Sequence, residues 1–272
     1  MALWIADEER GLMHIRGEAK NLCPQPLCLT ICGDSVICAA REGARVYAPD
    51  AQEIARYPLP PGVCRLCALP GALYCLSNEA DSVSLMCPVT GRLRLCAQAG
   101  CYPRDMKISP CGRMLAVAGG AAGQVLLFSA PDLQLLRRLS LPGVVYAVSF
   151  AGSSLYALCA VEDEDISSHL IRLSARGVQS DIFHDSGLPG ALCTLRDQTL
   201  LLGMLGAAVR LRPDGRVLQR YAGGLAQSIR AYDDFALIAD PLQGCVQRVF
   251  LGIGKSAETI YPGASPSDML LM

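Results

Sequence analysis

Charged residues are scarce in this 272-residue chain: Asp, Glu, Lys and Arg together make up 18% of it, and the formal net charge is −1. A chain so close to neutral offers no electrostatic attraction to nucleic acid or to an anionic membrane surface. Its most apolar stretch, residues 200–209, is interrupted by Gly203 and Gly206 and is too short to cross a bilayer. We therefore expect no nucleic-acid partner and no membrane partner.

Catalytic motifs are missing as well. The chain has three histidines, His14, His169 and His184, and none lies in a recognisable nucleophile motif such as G-x-S-x-G. Isolated histidines of this kind are more often structural or surface residues. The acidic run at residues 162–165 lacks the glycine and the spacing of a calcium loop, which favours a solvated turn. We therefore predict no catalytic residue, no metal site and no cofactor.

Cysteine, in contrast, is abundant, with fourteen residues. Disulfide frameworks are typical of short secreted chains, and the N-terminal residues show no basic stretch or cleavage site of a signal peptide. Several cysteines, such as Cys28, Cys75 and Cys159, lie inside apolar runs, where a free thiol packs as a small hydrophobic group. The pair Cys64 and Cys67 has metal-ligand spacing, but residues three apart on a strand point to opposite faces and no second pair follows. We expect free thiols in a reducing bacterial cytoplasm.

One complete structural unit can be read in residues 101–143. Residues 105–109 (DMKIS) alternate apolar and polar side chains, which is typical of a half-buried strand. The apolar segment 114–118 (MLAVA) indicates a strand covered on both faces, and 124–129 (QVLLFS) indicates a third. The charged segment 133–141 suits an outer edge strand. Four short antiparallel strands separated by Gly and Pro turns predict one blade of a β-propeller.

The run from Ser109 to Gly143 (SPCGRMLAVAGG…VLLFSAPD…LSLPG) resembles a repeat of the seven-bladed YVTN-type propellers, which overlap the lactonase-like propellers. Cys111 stands where that repeat usually has Asp, and Gly119-Gly120 stand where it usually has Asn, which Asn78 retains one unit earlier. The resemblance implies a seven-bladed propeller. Lactonase-like hydrolysis is the activity that it suggests.

Weaker copies of the unit fill the remaining chain at spacings of about 35–47 residues, with no linker between them. Six complete units start at Pro26 and end near Pro262, which leaves three strands in residues 3–23 without an inner strand. The C-terminal Pro-Ser-Asp-Met at 266–269 matches Pro-Arg-Asp-Met at 103–106. We predict an all-β, seven-bladed propeller of four-stranded antiparallel blades, a single domain over residues 1–272. Residues 267–272 should close the ring by joining the N-terminal blade.

Five polar residues occupy equivalent places at the starts of the first strands, where the channel of a propeller opens. These candidate ligand-binding residues are Asp105, Asp268, Arg65, Tyr146 and Ser228. Two carboxylates, a cation and a phenol at a channel mouth would suit a ligand site. A hydrated polar rim, which any propeller has, is the competing interpretation and the one that we favour for any single residue.

Two classes of function remain. The first is a non-enzymatic, monomeric propeller that presents a binding face at the channel mouth to an unknown protein or small-molecule ligand. The second is a lactonase-like hydrolase, with Asp105 or Asp268 as the base that activates water and with metal assistance as an option. A quinone-dependent dehydrogenase is disfavoured by the single tryptophan, and a WD40 scaffold by the absence of Trp-Asp and Gly-His signatures. We favour the first class.

Overall fold

The computed structural model describes residues 2–16, 18–174, 177, 179–252, 257–263 and 265–272. They form twenty-seven strands, and no helix in this part of the chain is long and apolar enough to cross a membrane. The strands before residue 100 are β1 (Leu3–Asp7), β2 (Gly11–Arg16), β3 (Glu18–Asn21), β4 (Pro26–Cys32), β5 (Ser35–Ala40), β6 (Gly43–Tyr47), β7 (Glu53–Tyr57), β8 (Val63–Leu69), β9 (Ala72–Ser77), β10 (Ser82–Met86) and β11 (Leu93–Gln98). Those after it are β12 (Asp105–Ile108), β13 (Met114–Ala118), β14 (Gln124–Ser129), β15 (Leu135–Ser140), β16 (Val144–Ala151), β17 (Ser154–Glu162), β18 (Ile166–Leu173), β19 (Gln179–Ser186), β20 (Pro189–Thr194), β21 (Leu200–Leu211), β22 (Val217–Leu225), β23 (Ser228–Ala231), β24 (Phe235–Asp240), β25 (Cys245–Phe250), β26 (Ala257–Pro262) and β27 (Pro266–Leu271).

The strands form seven antiparallel sheets, which are the blades of a propeller. Blade 1 has the order β27-β1-β2-β3, and blades 2 to 5 each use four consecutive strands from β4 to β19. Blade 6 contains β20, β21 and β22, and blade 7 contains β23 to β26. The seven-bladed architecture predicted from the sequence is therefore confirmed.

Blade 6 has four strands because β21 folds back on itself. The Nε atom of Arg210 donates a hydrogen bond of 3.1 Å to the hydroxyl of Thr199. In a straight strand these two residues would lie about 36 Å apart, at roughly 3.3 Å per residue. The chain reverses at Leu205 and Gly206, where Gly206 has φ +87°, a conformation that glycine adopts without strain.

The ring closes as predicted, because β27 pairs with β1. Leu3 lies opposite Leu271, and Ile5 lies opposite Met269. Beyond the strands, the amide of Ala2 donates to the carbonyl of Met272 at 2.7 Å. The two ends of the described chain thus share one sheet, and β27 completes blade 1 as its inner strand.

The hydrophobic core lies between neighbouring blades. Between blades 3 and 4, for example, Leu76 and Val83 pack with Met106, Leu115 and Val117. Second strands are buried on both faces, whereas the fourth strands β11 and β15 are mostly exposed. The decrease in burial from the second to the fourth strand explains the sequence pattern, in which second strands are apolar runs and fourth strands are charged segments.

All fourteen cysteines are free thiols. Cys96, Cys101 and Cys111 are exposed, and Cys87 lies in a turn where the hydroxyl and amide of Thr90 lower its pKa to about 7. The other ten are buried or half-buried.

We expect these four thiols to react first with a chromogenic thiol reagent, because exposure and thiolate character control cysteine reactivity. After denaturation without reductant, all fourteen should react. The measurement is the number of modified thiols before and after denaturation. A total clearly below fourteen after denaturation would show that the isolated protein carries disulfides.

Candidate functional site: the channel mouth

An open cleft of about 630 Å³ lies on one face of the propeller. Its walls come from the turns between second and third strands and from the connections that lead into first strands. Pro58, Pro60 and Pro61 form one wall, and because proline fixes φ this wall is stiff. Arg65 belongs both to this cleft and to the narrow channel beneath it.

The five candidate residues do gather around the channel. Asp105, Arg65, Tyr146 and Ser228 line its narrow part, and Asp268 lies behind Ser228. Four of them are placed alike, since each pairs with the last or next-to-last residue of the second strand: Asp105 with Ala118, Asp268 with Ala6, Arg65 with Leu76 and Ser228 with Ala239. Tyr146 lies instead in an irregularity of β16 between Val145 and Ala147.

Asp268 is the most completely buried of the five, with 1% of its surface exposed. Its carboxylate accepts hydrogen bonds from the Ser228 hydroxyl at 2.7 Å, from the Leu29 amide at 2.9 Å and from Arg230 Nη2 at 2.8 Å. Burial by itself would raise the pKa of this carboxyl, but the charge and hydrogen bonds of Arg230, with Arg65 further off, hold it below the ordinary value. A carboxylate with a lowered pKa is a weak base.

Asp105 has a similar environment three blades further around the ring. It is 4% exposed and accepts the amide of Val148 in the next blade at 3.1 Å. Lys107 Nζ lies 3.5 Å and Arg65 Nε lies 3.7 Å from its carboxylate. Asp105 and Asp268 therefore have the same structural role: each links its own first strand to the first strand of the following blade by a hydrogen bond.

Two cations of the channel were missed in the sequence, Lys107 and Arg230. Each follows a predicted site residue by two positions, Asp105 and Ser228 respectively, and residues two apart on a strand share a face. This two-residue spacing could have identified both cations from the sequence. With Arg65, these cations outnumber the two carboxylates, so the described part of the channel favours an anionic group.

The Arg104 side chain makes a cation–π contact with Tyr146, and its guanidinium carbon lies 4.1 Å from the centre of the phenol ring. Arg104 also lies 5.7 Å from the ring of Tyr102, which makes an aromatic–cation stack on the same side of the channel. The stack holds Tyr146 in place.

The Cys64 and Cys67 thiols do not form a joint site. Cys67 donates to the carbonyl of Met106 at 3.3 Å, whereas Cys64 donates to the carbonyl of Leu76 at 3.5 Å. Burial raises the pKa of both thiols. Within the described ranges of the chain, no three side chains of His, Cys, Asp or Glu come together as a metal-binding group.

No family model matches the chain, and no curated protein resembles it in sequence. Solved structures do resemble it in fold. A Bacteroides uniformis protein provisionally named a 6-phosphogluconolactonase aligns with a TM-score of 0.78 at 13% identity over 100% of this chain and 99% of its own. A Lactobacillus plantarum protein aligns at 0.78 and 12% identity, with 100% of both chains covered. Virginiamycin B lyase from Staphylococcus aureus aligns at 0.70 and 13% identity, over 87% of this chain and 84% of its own. At such identities the likeness establishes the propeller fold alone.

Proposed function

We propose that this propeller is a binding module whose channel-mouth cleft holds a small polar ligand with an anionic group, and that no bond is broken at the mouth. The observation that carries the proposal is the state of the two channel carboxylates. Asp105 and Asp268 are each paired with a cation and with a backbone amide of the next blade. Both carboxylates are thus engaged in contacts that hold neighbouring blades together, while the cleft above them stays open.

The charges of the cleft favour a ligand bound in one orientation. Arg65 lies at its base, whereas Glu8, Glu42 and Glu79 lie among the other lining residues together with Arg41. An anionic group would be drawn toward Arg65 and the cationic channel, and the neutral part of the ligand would rest against the proline wall. The cleft volume is that of sites for small molecules.

We expect 6-phosphogluconate to bind and gluconate to bind more weakly, as measured by calorimetry, because only the former carries a phosphate for Arg65. Replacing Arg65 by Met should weaken binding of the phosphorylated compound about tenfold or more, since hydrogen bonds to charged groups are worth roughly 1.5–3 kcal/mol. Arg138→Met is the matched control, because Arg138 is exposed on the outer strand β15. Equal binding by both variants would rule out the cleft as the site.

A lactonase-like hydrolase is the second candidate, and what favours it is the provisional name of the Bacteroides uniformis structure. The two candidates separate in one assay: hydrolysis of 6-phosphogluconolactone and a panel of small lactones with and without EDTA. The binding module should give no turnover that EDTA or Asp105→Asn removes. Metal-dependent turnover that Asp105→Asn abolishes would establish the hydrolase in its place.

A further inference from the structure

Three side chains on the outer half of blade 5 form a hydrogen-bonded series that lies away from the channel. The Ser167 hydroxyl is 3.0 Å from Nε2 of His169, and Nδ1 of the same ring is 2.6 Å from the Asp181 carboxylate. The order of groups is hydroxyl, imidazole and carboxylate, with each ring nitrogen used once. This is the connectivity by which a histidine activates a serine nucleophile.

The strand geometry explains how these residues meet. Ser167 and His169 are two positions apart on β18 and so share a face. In a regular strand Asp181 and His184, three apart, would face opposite ways. A bulge in β19 changes this: Leu170 pairs with Phe183 but Ile171 pairs with Asp181, which leaves Ile182 as an extra residue. Asp181 and His184 are thereby brought to one face, and the His184 ring stacks on that of His169 at 5.8 Å.

The hydrogen bonds determine where the protons lie. A carboxylate only accepts, so Asp181 receives the proton of His169 Nδ1, and when the ring carries no second proton Nε2 is an acceptor. The Ser167 hydroxyl can donate to this Nε2 at 3.0 Å or to the carbonyl of Val161 at 3.3 Å. The shorter contact is the one to the imidazole.

We propose that Ser167, His169 and Asp181 are a nucleophilic triad that cleaves a carboxylic ester, a site separate from the channel mouth. Ser167 Oγ bonds to the carbonyl carbon while its proton passes to His169 Nε2. The resulting oxyanion collapses, the C–O bond to the alcohol breaks, and the alcohol leaves with the proton of Nε2. Water then attacks the acyl-serine, gives a proton to Nε2 and releases the acid, and the proton returns to Ser167. Asp181 acts as the positioning residue that holds the ring.

The surroundings point to the class of ester. Ser167 and His169 are half-buried, while Asp181 and His184 are more exposed, so a surface-bound substrate can reach the hydroxyl. His184 lies diagonally across the β18–β19 pair from Ser167, within reach of an oxyanion on the attacked carbonyl. The four acidic residues at 162–165 directly precede β18, and they would repel an anionic substrate. The substrate is therefore an uncharged or cationic ester.

The test is covalent labelling of the full-length protein with an uncharged fluorophosphonate, followed by peptide mass mapping. Ser167 should be the labelled serine, and Ser167→Ala should lose the label. His169→Gln should lower the labelling rate about 100-fold or more, because a general base contributes roughly 10²–10⁴-fold. Ser186→Ala is the matched control, since Ser186 pairs with Ser167 on the neighbouring strand and should label like the parent.

Steady-state hydrolysis of p-nitrophenyl acetate gives the second readout. Asp181→Asn should lower kcat with KM unchanged, and Asp181→Glu should recover part of the loss, which a purely structural role of the carboxylate would not produce. All variants should melt like the parent. A protein that stays unlabelled at Ser167, or a rate that does not depend on His169, would overturn the triad, and neither result bears on ligand binding at the channel mouth.

Discussion

Removal of residues 265–272 is expected to abolish the cooperative thermal transition of this protein. These residues contain β27, the inner strand of blade 1 and the only one of its four that comes from the C-terminal end. Met269 packs with Leu3, Ile5 and Leu237 between blades 1 and 7, and Leu270 packs on the other face. Each such side chain contributes about 1.5–3 kcal/mol on burial.

Removal of β27 also breaks backbone hydrogen bonds and an ion pair. Without β27, the edge of β1 that faces it loses its pairing partner, and Arg230 loses the carboxylate of Asp268. Together these terms are comparable with the whole stability of a typical domain, about 5–15 kcal/mol. The truncated protein should therefore aggregate or show no sharp transition in calorimetry.

Complementation in trans supplies the control. A synthetic peptide of residues 265–272 added to freshly refolded truncated protein should restore a cooperative transition, and a scrambled peptide of the same composition should not. The closed ring would be disproved by a truncated protein that melts at the temperature of the intact one.

Asp268→Asn is expected to cost about 3 kcal/mol of stability, which corresponds to roughly 6–12 °C in Tm for a domain of this size. The change leaves Arg230 in the channel wall without its charged partner. We expect the lower end of the range for broken buried ion pairs, because the Arg230 side chain keeps 32% of its surface open to the channel. Asp34→Asn, at an exposed turn, is the control and should change Tm little.

The effect of Asp268 on stability should depend on pH in one direction. Its pKa in the folded protein is lowered, so its contribution is complete above the unfolded value of about 3.9 and is lost as the pH falls through the folded value. Parent and Asp268→Asn should therefore differ most at neutral pH and converge below about pH 4. The measurement is denaturant unfolding from pH 7 to pH 3. A difference that does not shrink on acidification would mean that Asp268 is not ionised in the folded state.

Much of the architecture could be read from local patterns. The alternation of residues 105–109, the apolar segment 114–118 and the turns at Gly and Pro are properties of neighbouring residues, and they repeat along the chain. Even the ring closure followed from a local match, because Pro266, Asp268 and Met269 repeat the spacing of Pro103, Asp105 and Met106. The channel residues could be placed because they occupy equivalent positions in the repeated units.

What the channel residues do could not be read in this way. Asp268 and Asp105 were candidates for one ligand site, with a hydrated polar rim as the favoured alternative for each residue. In the structure their partners are residues of neighbouring blades: Arg230 and Leu29 for Asp268, Val148 for Asp105. The amide of Leu29 lies 239 positions from Asp268 along the chain. Only the closed ring brings such groups together. Because the ion pairs are buried, removing one partner destabilises the fold.

The serine–histidine–aspartate series in blade 5 was hidden for a different reason. The sequence showed His169 and His184 as isolated residues, and two-residue periodicity would have placed Asp181 and His184 on opposite faces. The sequence by itself thus determined the number of blades, their strands and the closure, because these depend on alternation and turn chemistry. The tertiary structure alone decided which polar groups meet, because one extra residue in β19 reverses the side on which every following side chain lies.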